Sequence, residues 1–129
     1  LGLAMGMPFP SGLRALAARP GHAIGAHGLE HLALCQQPPE VQEREIAGSR
    51  RALESLLGAE VRAFSYPYGD VSASVAQRAR AAGFDTAVSC DAGGVGQRSD
   101  TWRLPRLEIQ RDNAERFASL LAALAPPLA

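Results

Sequence analysis

Short apolar runs and longer amphipathic stretches take turns along this chain, with 13 Gly and 9 Pro between them. Ser11 can cap a short helix through Leu13, Leu16 and Ala17, which Pro20-Gly21 ends. Residues 22–27, Ala-Ile-Gly-Ala between two histidines, read as a buried strand that runs into a loop. Pro38-Pro39 opens the longest helix, since Pro suits a first turn, and Ile46, Leu53, Leu56 and Leu57 share one face of it. Gly58 stands where a left-handed terminal residue belongs. A strand over 61–65 follows, then the turn-rich 66–70, then a helix capped by Ser72 or Ser74 and ended by Gly83. Residues 84–89 read as a strand, 91–100 as a Gly-rich loop and 102–109 as a further extended segment. Asp112 opens a last helix with Glu115 at the capping-box position. Strands alternating with helices of this length predict an α/β fold on a parallel sheet of crossover units. Ligand sites in such folds lie at the carboxyl ends of the strands. The loops that matter are therefore 27–31, 66–70 and 90–100.

Size and composition narrow the function classes. At 129 residues the chain, residues 1–129, is read as a single domain, and 47% apolar content is enough for a core. Thirteen basic residues balance thirteen acidic ones, which argues against nucleic acid as a partner, because phosphate binding rests on surplus positive charge. No apolar run approaches the roughly 20 residues a membrane span needs. The longest, 117–124, soon meets Pro126-Pro127. Cys35 and Cys90 are too few for a disulfide scaffold, and the sequence leaves open whether they are bridged or free. The chain opens Leu-Gly-Leu-Ala, with neither an initiator Met nor a leader pattern, and is expected to be part of something longer.

The sharpest chemical signal is His27 and His31, four residues apart just beyond a predicted strand end. On one helical turn such a pair projects from the same face and can share a metal ion. A plainer reading is two solvated loop histidines. His27-Gly28-Leu29-Glu30-His31 also fits the His-x-x-Glu-His pattern of inverted zinc peptidases, with Glu30 as base. That pattern needs a regular helix, where each Gly costs about 1 kcal/mol relative to Ala. His22 reads as structural, its ring held by a backbone group.

The blocks GHAIGAHGLEHLAL, VRAFSYPYGD, RAAGFDTAVS and WRLPRLEI, in this order and spacing, resemble the polysaccharide deacetylase family from about Gly12 to Leu121. The resemblance implies a metal-dependent hydrolase that removes N- or O-acetyl groups from sugars, cleaving a carbon–nitrogen bond other than a peptide bond. It implies a distorted parallel (β/α) barrel, here lacking its first strands, and a divalent metal, zinc by expectation. The family's His-(Ser/Thr)-x-x-His block makes His27 and His31 metal ligands, with Gly28 in place of the hydroxyl residue. Its Arg-x-Pro-Tyr-Gly block falls on Ser65-Tyr66-Pro67-Tyr68-Gly69. Pro67 and Tyr68 thereby become catalytic candidates, the Tyr68 backbone N–H as a donor to the oxyanion. Ser65 replaces the Arg, as in a Tyr-Pro-Tyr-Gly subgroup. Tyr66, Trp102 and Arg106 become candidate contacts for an acetylated polysaccharide or oligosaccharide. The plainer readings are a Pro-led turn with packed aromatics and a mostly buried Trp.

Two family blocks are absent. No His follows His31, so the usual general acid has no counterpart. No Asp precedes His27, although the family's Thr-Phe-Asp-Asp block supplies the base and a third ligand there. Two ligands make an incomplete zinc site, since catalytic zinc keeps three plus water. The chain by itself is thus expected to be incomplete or inactive as a hydrolase. A barrel without its opening strands would also present an unpaired edge, which predicts self-association. Three readings follow: a deacetylase portion, a non-catalytic carbohydrate-binding or interaction domain, and a zinc peptidase.

Overall fold

The Pro-led stretch folds as a single helix, Pro39–Leu57, in a computed structural model that describes residues 11–109 and 114–124. With Ser11–Ala17 as α1, this helix is α2. It ends as the sequence predicts: Gly58 is left-handed (φ 66°) and its N–H donates to Glu54 O at 2.8 Å. Ile46 is fully buried, and Leu53 and Leu57 pack on the same core. The next helix, α3, spans Ala73–Ala81 and is capped by Ser72, whose hydroxyl accepts from Val75 N; Ser74 only meets the Ser72 hydroxyl.

Three strands, β1 (Ala63–Ser65), β2 (Thr86–Ala92) and β3 (Leu104–Arg106), form a sheet in that order, parallel throughout. Phe64 pairs with Ala87, and Val88 with Leu104. Helix α3 carries the chain from β1 to β2, which is the crossover expected of an α/β fold. The predicted strand over 22–27 shrinks to one parallel bridge. Ala26 N donates to Ala63 O at 2.8 Å, and Ala26 O accepts from Ser65 N at 2.9 Å. The short β1 offers little edge, and Gly25 beside the bridge brings no side chain to pack. The extended segment over 102–109 shrinks to β3, because Pro105 has no N–H for a ladder and Trp102 is bonded elsewhere. Strand β2 instead runs on to Ala92, into the expected loop. The last helix, α4, is described over Ala114–Leu124; its predicted start at Asp112 lies outside the described residues.

The core lies between the sheet and the helices α2 and α3. Phe64 and Ala87 point inward from adjacent strands and meet Ile46, Val61, Val75 and Phe84, all nearly free of solvent. Phe64 makes ring contacts at 5.2 Å with both Tyr66 and Phe84. Burial of each large apolar side chain stabilises the fold by about 1.5–3 kcal/mol. Arg50 bolts the layers together, donating to Val61 O ahead of β1 and to Ala82 O at the end of α3. Among the described residues, no helix is long and apolar enough to cross a membrane.

Candidate active site

Adjacent parallel strands end side by side, and that alone gathers distant parts of the chain. The Ala26 bridge leads into His27 and β1 into residues 66–70, while Cys90 lies in the last part of β2 and Arg106 ends β3. The imidazoles of His27 and His31 stand edge to face with ring centres 4.7 Å apart, and the Tyr68 ring meets His31 in the same way at 4.6 Å.

The histidine pair is not on a helix. Gly28 (φ 79°) and His31 (φ 58°) are both left-handed, so 27–31 is a sharp turn, and the turn rather than a helical face brings the rings together. The zinc-peptidase reading loses the helix it requires. Glu30 points outward to Arg44, 3.3 Å away. His22 is exposed, with Nδ1 3.1 Å from Pro20 O, the backbone partner expected of a structural His.

His27 is oriented by the sheet itself. Its Nδ1 lies 2.7 Å from Ser65 O. A carbonyl only accepts, so Nδ1 carries the proton and Nε2 keeps its lone pair when the ring is neutral. Metal-bound imidazoles show this same arrangement, with the second nitrogen donating to a carbonyl or carboxylate. His27 thus presents a ring nitrogen that could take a cation, with the His31 ring beside it. Among the described residues, no group of three His, Cys, Asp or Glu side chains is placed to hold a metal ion.

The second loop, Pro67–Gly69, is a tight 3-10 turn. Gly69 N donates to Tyr66 O at 2.9 Å and Asp70 N to Pro67 O at 3.1 Å. Tyr68 sits on its crest with φ 59° and its side chain exposed. Among the described residues no acceptor meets the Tyr68 N–H, which leaves a backbone donor free at the mouth.

Three sequence candidates fare differently. Tyr66 is wholly buried, its ring on Phe64 and its hydroxyl donating to Trp102 O at 2.7 Å. Burial pushes its pKa well above the usual tyrosine value. Its side chain is part of the core. Pro67 opens the turn and is buried as well, against Gly28. Trp102 precedes β3, and its indole N–H donates to Phe84 O, ahead of β2. It belongs to the amino ends of the strands, away from the histidines, with Arg80 over its ring at 4.9 Å. Arg106 does sit at the carboxyl end. It is exposed, with Nε donating to Ser89 O at 2.8 Å and Nη2 3.5 Å from Cys90 Sγ. Both cysteines are free thiols.

Sequence reasoning missed the residues that hold the first loop. Glu45 is fully buried on α2, and its Oε2 accepts from Leu29 N (3.0 Å) and Glu30 N (2.9 Å). Gln42, one turn earlier, holds the stretch after that loop, donating to Leu34 O and Gln37 O, both at 2.9 Å. Asp70 ties the second loop to the segment that follows the first by accepting from Cys35 N at 2.8 Å. The available signal was polar residues at 42, 45 and 49 on the same helical face as Ile46.

Comparison with known proteins bears on the family and the fold. The sequence pattern described as polysaccharide deacetylase matches residues 4–87. YxkH of Bacillus subtilis (strain 168), named for the same family, is 24% identical over 92 residues, 71% of this chain and 33% of that protein. The chain thus spans about a third of the curated relative it matches. The Streptococcus pyogenes deacetylase PplD, solved in complex with acetate, superposes with a TM-score of 0.72 at 24% identity, over 79% of this chain and 44% of that one. BC0361, a polysaccharide deacetylase from Bacillus cereus, gives 0.66 at 25% identity, over 75% and 31%. IcaB from Ammonifex degensii gives 0.67 at 21% identity, over 84% and 51%. The parallel sheet is accordingly part of the deacetylase-type (β/α) barrel. Since the family pattern covers well over half of its residues, the chain belongs to the polysaccharide deacetylase family.

Proposed function

We propose that this chain forms the histidine-bearing portion of a metal-dependent hydrolase that removes acetyl groups from an N- or O-acetylated polysaccharide. The observation that carries the reading is the row His27, His31, Tyr68 at the carboxyl ends of adjacent strands. Water adds across the acetyl carbon–nitrogen or carbon–oxygen bond, releasing acetate and leaving the sugar amine or hydroxyl. His27 and His31 are the ligands this chain offers to a divalent cation, zinc by the nature of the donors. A cation held there supplies Lewis acidity and a water more acidic than bulk water.

This chain's own groups do the rest of the positioning. Ser65 O fixes the His27 ring, so the ligating nitrogen faces away from the sheet. The unpaired Tyr68 N–H is a donor for the oxygen that becomes negative when the acetyl carbon turns tetrahedral. The exposed Tyr68 ring offers a flat apolar surface to a sugar, and Arg106 offers a cation at the end of β3.

A second reading has one observation in its favour: among the described residues the histidine pair lacks a third ligand. A carbohydrate-binding domain that keeps the fold without the chemistry would look like this. Zinc titration by calorimetry separates the two. The hydrolase reading expects saturable zinc binding that His27→Ala abolishes, together with acetate release from acetylated oligosaccharides by the protein bearing the remaining ligand. No heat of binding, with sugar binding intact, would establish the second reading.

A further inference from the structure

We infer that Glu45 is a positioning residue for the histidine pair: from the buried face of α2 its carboxylate fixes the turn that sets His27 against His31. The metal part of this inference rests on the reading above; the structural part does not.

A carboxylate with no solvent exposure is costly unless its oxygens are satisfied. Glu45 is satisfied unevenly. Oε2 takes two backbone N–H groups, those of Leu29 and Glu30, which lie between the two histidines. Oε1 makes no hydrogen bond and has only Arg44 Nη2 at 3.7 Å, on a side chain about half exposed. An apolar residue of this size would fill the same space without that desolvation, and such exchanges are often neutral or stabilising. Leu29 and Glu30 are exposed residues, and their amide bonds to Oε2 are only part-buried. Stability alone therefore does not explain the group.

Conformation does. His31 is a non-glycine residue in the left-handed region, which is disfavoured unless its surroundings impose it. Two charge-assisted hydrogen bonds to the preceding residues impose it here. The fit is close on the other side of the carboxylate too: a Cβ at Gly28 would stand 3.0 Å from Oε2. Second-layer groups of this kind commonly change metal affinity by about 10–100-fold when removed.

The test uses the whole chain with Glu45→Leu and Glu45→Gln, reading amide hydrogen exchange at Leu29 and Glu30 and zinc affinity by calorimetry. The Val61 amide, bonded to Glu54, serves as the internal control. Glu45→Leu is expected to speed exchange of the two amides more than about 10-fold and to weaken zinc about 10–100-fold, with Val61 unchanged. Glu45→Gln keeps the shape and a neutral acceptor, and is expected to speed exchange about 3-fold and to recover most of the zinc affinity. Unchanged exchange at Leu29 and Glu30 in both variants, or in Glu45→Gln alone should Glu45→Leu fail to fold, overturns the inference. Faster exchange with zinc affinity within twofold of the parent overturns its metal part. If zinc ignores the parent chain or binds His27→Ala equally well, the hydrolase reading fails instead, and the exchange rates alone decide the role of Glu45.

Discussion

Two loops meet at the mouth of the sheet, and each turns on one left-handed residue that is not glycine, His31 in the first and Tyr68 in the second. They are held in opposite ways. The Tyr68 loop closes on itself: Pro67 starts the turn, Tyr66 O and Pro67 O take the next two amides, and the Tyr66 ring anchors the entry in the core. The His31 loop has no such internal closure between its histidines. Its shape is imposed from α2, through Glu45, and from the sheet, through Ser65 O. A self-closed loop is the better platform for a fixed backbone donor. A loop shaped from outside can hold side chains at a set separation without spending its own residues on the turn.

The largest effect is expected where the self-closed loop touches the sheet. A Cβ at Gly69 would lie 2.6 Å from Cys90 Cβ and 2.7 Å from Cys90 N, and the residue is left-handed at φ 68°. Strand backbone cannot step aside, so overpacking adds to the conformational cost, and Gly69→Ala should destabilise by about 3 kcal/mol. Urea unfolding checks it. A loss under 1 kcal/mol would show that the tyrosine loop is not braced on β2.

A smaller loss is expected at the matching glycine of the other loop. Gly28 is left-handed as well, but its Cβ would meet a side-chain oxygen, Glu45 Oε2, at 3.0 Å, and that oxygen can yield by a few tenths of an ångström. Gly28→Ala should cost about 1–2 kcal/mol, mostly from the left-handed backbone. Its stability loss should be less than that of Gly69→Ala, while its effect on zinc affinity should be greater. The reverse order in the two titrations would erase the distinction between the loops.

The same difference explains what the sequence disclosed. The tyrosine loop is written locally: Pro67 and Gly69 lie within the turn they make, so a turn at 66–70 was legible. The helices α2 and α3 announced themselves through Pro39, Gly58 and the Ser72 cap. The proximity of His27 and His31 was legible from their spacing, but its cause was not. Helical spacing suggested one turn of helix, whereas the structure uses two left-handed residues and a carboxylate on α2, 15 positions beyond Glu30. No local pattern reports a contact of that range. Tyr66 illustrates the converse: an aromatic beside a motif looks like a pocket wall, and only the structure shows its side chain packed in the core.

The smallest expected effect concerns a side chain that ties the tyrosine loop to the segment just after the histidine turn. Asp70 belongs to the self-closed loop, yet its Oδ2 accepts from Cys35 N just beyond the histidine turn. Cys35 is exposed, so water can replace the lost acceptor, and Asp70→Ala should cost no more than about 1 kcal/mol. The thiol gives a finer readout. Desolvation first, and then the hydrogen bond and negative charge of Asp70, hold the Cys35 pKa above its ordinary value, against a lowering contribution from Ser72. Removing Asp70 takes away two of the raising influences, so the thiolate forms at lower pH and alkylation at fixed pH should quicken. A pH–rate profile of iodoacetamide modification, measured in a Cys90→Ser background, should therefore shift toward acid in Asp70→Ala while the unfolding midpoint barely moves. A profile that stays in place would mean that the carboxylate does not sense the thiol, and that the two loops meet at the mouth without being coupled through this residue.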